Sequence, residues 1–159
     1  MIFTGYLNTR KPFGLIEVDK IKHLNGDLYL PNQTNLISIY NIINSPGYLN
    51  LMNSINLNSL GILETVDGDL NLFNCRALTS LGNLITVNGY LNLFNCKNLS
   101  SMNSVESING DLNLKYCSGI SSFSSLLSVG GNIYLKNSGV TQSYVITNKF
   151  FLYSKCVWI

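Results

Sequence analysis

The chain repeats a segment of 21 residues from its first residues almost to its last. Copies of this segment begin at Phe3, Leu24, Ser45, Val66, Val87, Ile108 and Val129. A fixed period of this size is typical of solenoids, in which each repeat forms one coil and stacks on the next. The period therefore predicts a β-rich fold, a right-handed parallel β-solenoid of about seven coils.

Each coil carries a glycine at the same position, and a short leucine-rich segment follows it. The glycines are Gly5, Gly26, Gly47, Gly68, Gly89, Gly110 and Gly131. An Asn or Asp precedes several of them, and these pairs favour tight turns because glycine adopts positive φ without steric cost. After the turn, leucines alternate with polar residues, as at Leu70 and Leu72, which is the period of a half-buried strand. We expect these strands to pair in parallel along the whole molecule.

A less regular part of the coil follows each strand. Its apolar residues recur at intervals of three, as in Leu78, Leu81 and Leu84, which predicts a coil that bends every few residues. We therefore expect three faces per coil, one regular strand and two shorter segments. An asparagine column is predicted to bond amide to amide along the stack or to the backbone at a bend. Its members are Asn32, Asn53, Asn74, Asn95 and Asn137, interrupted by Tyr116.

The decay of the repeat near its end predicts the domain organisation. We assign residues 1–149 to a single solenoid domain and residues 150–159 to a C-terminal cap or docking segment. Phe150, Phe151 and Trp158 are expected to fold over the last layer of the core. Phe3 and Leu7 belong to the first coil, where unpaired strand edges invite pairing. We expect that end to dock on a partner, either a second copy or a different chain.

The repeat resembles a leucine-rich repeat, and most closely the coils of receptor L domains in growth-factor receptor ectodomains and fungal cell-wall proteins. The resemblance is carried by the best-preserved coil and its counterparts, at Gly68, Leu70, Leu72, Asn74, Cys75, Leu78, Leu81 and Leu84. It covers roughly residues 3 to 140. It implies a stack of short parallel strands and leaves the ligand open.

Composition excludes several classes of partner. Charged residues make up 11% of the chain, against about 25% in typical domains, and the net charge is +2 with no basic run. We therefore expect no nucleic-acid binding. No apolar stretch is long enough to cross a bilayer, and repeat residues follow Met1 at once, so we expect neither membrane insertion nor a signal peptide.

Three of the four cysteines, Cys75, Cys96 and Cys117, share one column, whereas disulfide frameworks more often have irregular spacings. We expect these thiols to be reduced, in a protein made in the cytoplasm. No fourth ligand or histidine stands in register with them, so we expect no metal site and no cofactor.

Catalytic groups are sparse. His23 is the single histidine and has no carboxylate in register. Asp27, Asp69 and Asp111 share a column at two-coil spacing, roughly 10 Å, which approaches the carboxylate separation of inverting glycosidases. Tyr48 and Tyr90 stand between them, and we interpret the alternation as avoidance of stacked like charge. A polysaccharide-cleaving β-helix enzyme is therefore the least favoured alternative, and we expect no enzymatic activity.

The outward side of the strands predicts the binding face. Its candidate residues are Tyr48, Met52, Phe73, Tyr90, Phe94, Asn71 and Asn92. Apolar surface of this kind usually marks an interface, although stacked aromatics can also simply stabilise a sheet. We predict a non-enzymatic protein-interaction or structural module, a component of a larger assembly such as a viral particle or a surface structure. The alternative is an adhesin or carbohydrate-binding module that uses the aromatic face to bind glycan.

Overall fold

The structure, a computed structural model, is a β-rich parallel solenoid of about six turns with a period of about 21 residues and little helix. It describes residues 2–4, 7–8, 21, 23–102 and 104–159, and of residues 2–4, 7–8, 150 and 151 it describes the backbone only. The predicted fold class is confirmed. The seven repeat starts predicted from the sequence mark the beginning and the end of these six turns.

Two columns of parallel strands flank the glycine turn. The strands that precede the turn are β1 (Ile2–Thr4), β3 (His23–Asn25), β5 (Asn44–Ser45), β7 (Thr65–Val66), β9 (Thr86–Val87), β11 (Ser107–Ile108) and β13 (Ser128–Val129). The strands that follow it are β2 (Leu7–Asn8), β4 (Leu28–Tyr29), β6 (Leu49–Asn50), β8 (Leu70–Asn71), β10 (Leu91–Asn92), β12 (Leu112–Asn113) and β14 (Ile133–Tyr134). The second column forms an eight-stranded sheet that ends on β15 (Cys156–Val157).

The strand column before the turn is an addition to the sequence prediction of one regular strand per coil. Its backbone pairs in the same way as the other sheet, and Asn88 N, for example, donates to Val66 O at 2.8 Å. On a third side, coils are linked by isolated bridges from Ser59 to Ser38 and to Ser80, and by further backbone hydrogen bonds such as that from Asn58 N to Ile37 O at 2.8 Å. Of the three faces that we expected per coil, two are strand columns rather than one, and the column before the turn is divided into a sheet of β1 and β3 and a sheet of β5, β7, β9, β11 and β13.

The register stacks identical repeat positions on one another. Leu91 of β10 lies opposite Leu70 of β8 and Leu112 of β12, and all three side chains are 0% exposed. Full burial of a leucine side chain contributes about 1.5–3 kcal/mol. Each coil buries its apolar side chains against the coils on either side of it. The columns therefore form one continuous core.

The thiol column lies in this core. Cys75, Cys96 and Cys117 are buried and free of disulfides. Each thiol donates to a backbone carbonyl of the preceding coil, as Cys75 Sγ does to Leu51 O at 3.2 Å. The side chains therefore fill core volume, and their polar hydrogen atoms are paired.

The asparagine column forms the bend after the strand, and the predicted amide ladder is confirmed. Asn74 Nδ2 donates to Asn53 Oδ1 at 3.0 Å, and Asn95 Nδ2 donates to Asn74 Oδ1 at 2.7 Å. The structure adds the reason for the residue type, because Asn74 has a φ of 61°. Asparagine tolerates this left-handed conformation better than other residues with a side chain. Tyr116 occupies the same position with a φ of 62°.

We predict that Asn74→Ala will lower the free energy of unfolding more than Asn74→Gly does, by about 1 kcal/mol. Both variants remove the amide ladder, but only alanine has to hold a Cβ at positive φ. Chemical denaturation of the two variants measures the difference. Equal stability of the two would mean that the ladder alone, and not the backbone conformation, selects asparagine.

The C-terminal segment packs on the last coil. Helix α1 (Gln142–Asn148) is capped by Thr141, whose Oγ1 accepts from Tyr144 N at 3.1 Å, and a 3₁₀ helix (Phe150–Lys155) leads to β15. β15 then pairs with β14, and Trp158 packs against the core. The side chains of Phe150 and Phe151 lie outside the described residues. At the other end, β1 and β2 are the terminal strands of their sheets, and the side chains of Phe3 and Leu7 also lie outside them.

Candidate protein-interaction surface

Strand alternation places the candidate face on the outside of the eight-stranded sheet. Leu70 and Leu72 point inward and are fully buried, while Asn71 and Phe73 point outward and are half-buried. The parallel register repeats this pattern in the neighbouring coils, except that the outward Asn50 is buried. Side chains at equal repeat positions therefore form columns, and successive side chains within a column are about 4.8 Å apart.

An aromatic row runs along this face, which we define as Met52, Phe73, Phe94 and Tyr116. The rings of Phe73 and Phe94 stack with centroids 4.9 Å apart and planes at 11°, and Tyr116 lies 5.2 Å beyond Phe94 at 59°. All four side chains are half-buried, because neighbouring members of the row cover part of one another. Phe94 is thus in contact with two other aromatic rings.

The tyrosines and asparagines of the face bond mainly to one another and to the backbone. Tyr48 Oη accepts from Asn50 Nδ2 at 2.7 Å, and Tyr90 Oη accepts from Asn113 Nδ2 at 3.0 Å. Burial, the largest influence, raises the pKa of Tyr90, and the charges of Asp111 and Asp69 act in the same direction. Tyr90 is therefore a neutral phenol that links two coils.

Asn71 and Asn92 are the two amides predicted to contact a ligand. Asn71 Oδ1 accepts from Phe73 N, and Asn92 Oδ1 accepts from Phe94 N, each at 3.1 Å. Asn92 Nδ2 also donates to Asn71 Oδ1 at 3.2 Å. The hydrogen bonds from Phe73 N and Phe94 N hold the backbone in place at the two phenylalanines of the aromatic row. The amides therefore shape the face, and much of their hydrogen-bonding capacity is already used within the protein.

The aspartate column serves the glycine turns. Asp27 Oδ1 accepts from Tyr48 N at 2.7 Å, and Asp69 makes the same contact with Tyr90 N. The glycine of the next coil leaves room for this carboxylate, since a Cβ at Gly47 would lie 2.3 Å from Asp27 Oδ1. Asp111 repeats the arrangement with Asn132 N. These contacts give the carboxylates a backbone-capping role.

Four cations border the aromatic row, and we call Arg76, Lys97, Lys115 and Lys136 the cationic strip. Arg76 and Lys97 each follow a phenylalanine of the row by three residues, whereas Lys115 and Lys136 continue the column of Phe73 and Phe94. These four residues were not among the candidate site residues predicted from the sequence. Alignment of the coils was the signal, because it places cations at equal positions in neighbouring coils.

A second group of residues was also missed. Ile37, Tyr40 and Ile43 are 45%, 55% and 42% exposed, and Ile55 and Ile62 of the next coil are similarly exposed. Ile37 also lines a shallow depression of about 330 Å³. The signal in the sequence was the apolar interval of three residues, because Ile37, Tyr40 and Ile43 each directly follow an inward-facing apolar residue of the same coil.

The part of the chain that the structure describes contains neither a metal-binding cluster nor a membrane-spanning helix. Within residues 21, 23–102 and 104–159, no group of three or more His, Cys, Asp or Glu side chains could hold a metal ion. His23 is an exposed residue of β3. In the part of the chain that the structure describes, no helix has the length and apolar character needed to cross a membrane.

Comparison with known proteins gave no match to a protein-family model, to a curated protein or to a solved structure.

Proposed function

We propose that this chain is a non-enzymatic protein-interaction or structural module that binds a protein partner through the aromatic row, as one component of a larger assembly. The observation that carries the proposal is the stacked pair Phe73 and Phe94, which presents half-exposed apolar surface at the turns that directly follow β8 and β10. Aromatic residues are typical anchors of protein interfaces. A viral particle and a surface structure are the assemblies we would examine first.

The ring geometry favours protein over glycan as the ligand. Carbohydrate recognition by aromatics uses an open ring face, and Phe94 has Phe73 on one side and Tyr116 on the other. Asn71 and Asn92 are committed to the backbone as well. An adhesin that stacks sugars on this face is therefore the second candidate.

We further propose that the solenoid is a variant of the leucine-rich repeat, closest to the coils of receptor L domains. The inward leucines and the asparagine at the bend support this kinship. In one coil they are Leu70, Leu72, Asn74, Leu78, Leu81 and Leu84.

The test is affinity capture of protein partners from extracts of the source organism, with purified protein as bait. We expect a partner that binds the wild type and is lost with the double variant Phe73→Ser/Phe94→Ser. The matched control is Ile55→Ser/Ile62→Ser, which removes two exposed apolar residues outside the row. The captured partner is then purified, and direct binding to each variant is measured.

Equal binding of the partner to wild type and row variant would contradict the proposal. A glycan array forms the second arm of the test. Glycan binding that is abolished by Tyr90→Ala, without a protein partner, would favour the adhesin instead.

A further inference from the structure

The acidic residues of the solenoid avoid one another along the stack. Asp27, Asp69 and Asp111 occupy every second coil of their column, with tyrosines between them. Glu64 and Glu106 likewise alternate with apolar residues, since Ile85 N donates to Glu64 O and Glu106 N donates to Ile85 O. Like charges are thereby kept two coils apart, roughly 10 Å, which weakens their repulsion.

The cationic strip breaks this rule. Arg76 and Lys97 occupy equal positions in adjacent coils, as do Lys115 and Lys136. The coils are held in register at these points, since Asn95 Nδ2 bonds Asn74 Oδ1 and Tyr116 N donates to Lys136 O at 2.9 Å. Like charges at equal positions of adjacent coils repel each other. The strip therefore carries unfavourable repulsion that an anion would relieve.

The contacts of the strip within the described residues supply no negative charge. Arg76 Nε donates to the amide oxygen of Asn74 at 2.7 Å, and Lys115 Nζ lies 5.3 Å from the ring centre of Tyr134. Arg76, Lys97 and Lys136 are exposed. The aspartate column precedes the strand of each coil and the strip follows it, so charges of opposite sign lie on opposite sides of the sheet strand.

We propose that the cationic strip, together with the edges of Phe73 and Phe94, receives a short acidic segment of a protein partner. This inference rests on the proposed function and names the chemistry of the partner. The strip covers three coil spacings, roughly 14 Å, which four or five extended residues span. Carboxylates of that segment pair with the cations and lie against the ring edges, where the aromatic quadrupole is positive.

The same geometry favours an acidic peptide over other polyanions. Recognition of single-stranded nucleic acid relies on bases that stack on open aromatic faces, and charged glycans use open faces in the same way. The stacked rings of Phe73 and Phe94 cover each other instead. Ring edges and point charges suit a carboxylate.

The experiment measures the fluorescence anisotropy of a labelled oligoglutamate peptide titrated with the full chain. Oligothymidylate and oligogalacturonate of comparable charge are titrated in parallel. We expect the peptide to bind most tightly, with affinity that falls as salt is raised. Arg76→Gln/Lys97→Gln should weaken peptide binding about fivefold, in line with the modest contribution of exposed ion pairs.

The matched control is Lys149→Gln/Lys155→Gln, which removes the same charge at the C-terminal segment, and if this double variant does not fold, Lys155→Gln is compared with Lys97→Gln, each of which removes one charge. Absence of peptide binding, equal loss in strip and control variants, or equally tight binding of either other polyanion would overturn the inference. Capture of the native partner distinguishes failure of the acidic-segment inference from failure of the proposed function. Capture that depends on Phe73 and Phe94 but not on Arg76 and Lys97 would contradict only the acidic segment, and capture independent of both pairs would contradict both proposals.

Discussion

Leu91→Asp should abolish the cooperative unfolding transition of the solenoid. Leu91 is 0% exposed and pairs through β10 with the coils on either side. An aspartate in this column would lie between Leu70 and Leu112, and burial of its unpaired carboxyl group costs several kcal/mol even when it is protonated, a large part of the free energy of unfolding of most domains. Circular dichroism during thermal denaturation is the measurement. Leu91→Ala should still fold, with unfolding free energy lowered by about 2–5 kcal/mol.

Asn92→Asp is the matched control, because it places the same charge on the outward side of the same strand. Its Oδ1 can still accept from Phe94 N, whereas the donation from Nδ2 to Asn71 Oδ1 is lost, so we expect a cooperative transition at a moderately lower temperature than that of the wild type. If Leu91→Asp melted at the wild-type temperature, the inward leucine column could not be the core of this protein.

The buried thiols should make the protein lose stability at alkaline pH. Burial raises the pKa of Cys75 and Cys117 from 9.0 to about 12, and it raises the pKa of Cys96 well above 9.0, with the two neighbouring thiols as a smaller cause. Above pH 9 the unfolded chain releases these protons while the folded chain keeps them. The free energy of unfolding should therefore be level with respect to these groups below pH 9 and should fall as the pH rises towards 12. Each thiol contributes a slope of about 1.4 kcal/mol per pH unit.

Denaturant titrations of the wild type and of Cys96→Ala between pH 8 and pH 11, roughly the range in which the thiols differ from the unfolded chain, test this slope. Tyrosines and lysines titrate there too, so the difference between the two proteins is the quantity that reports the thiol. Identical slopes would contradict the prediction. Native-state labelling gives a second measurement, in which half-buried Cys156 should react first. A Cys75–Cys96 disulfide in freshly purified protein, found by non-reducing mass spectrometry, would refute the reduced column.

Several features followed from the sequence because the period aligns equal positions of successive coils. Leu70, Leu91 and Leu112 could be placed in one inward column from their spacing alone. The asparagine ladder was predictable for the same reason, since a period of 21 residues stacks Asn53, Asn74 and Asn95. Which residues stack in a column depends only on the register between coils, and this register can be read directly from a regular repeat.

Other features depend on geometry between columns, which the repeat does not state. Strand β7, at Thr65–Val66, lies before the glycine turn and outside the alternating leucines that predicted β8, so a second strand in each coil was not predicted. The cover that Phe73 and Phe94 give each other follows from ring orientation rather than from residue type. The capping of Tyr48 N by Asp27 also required the turn to be built, because it joins a side chain to the backbone of the next coil.

The sequence by itself determined the solenoid, its inward columns and the amide ladder. The 21-residue period aligns equal positions of successive coils, and the hydrophobic effect favours burial of the apolar ones. Only the tertiary structure decided which outward residues remain available to a partner. Asn71 and Asn92 proved to be committed to their own backbone, whereas Arg76 and Lys97 stand exposed in adjacent coils. The physical reason is that hydrogen bonds and charges act over a few ångströms, so their balance is set by how the coils pack.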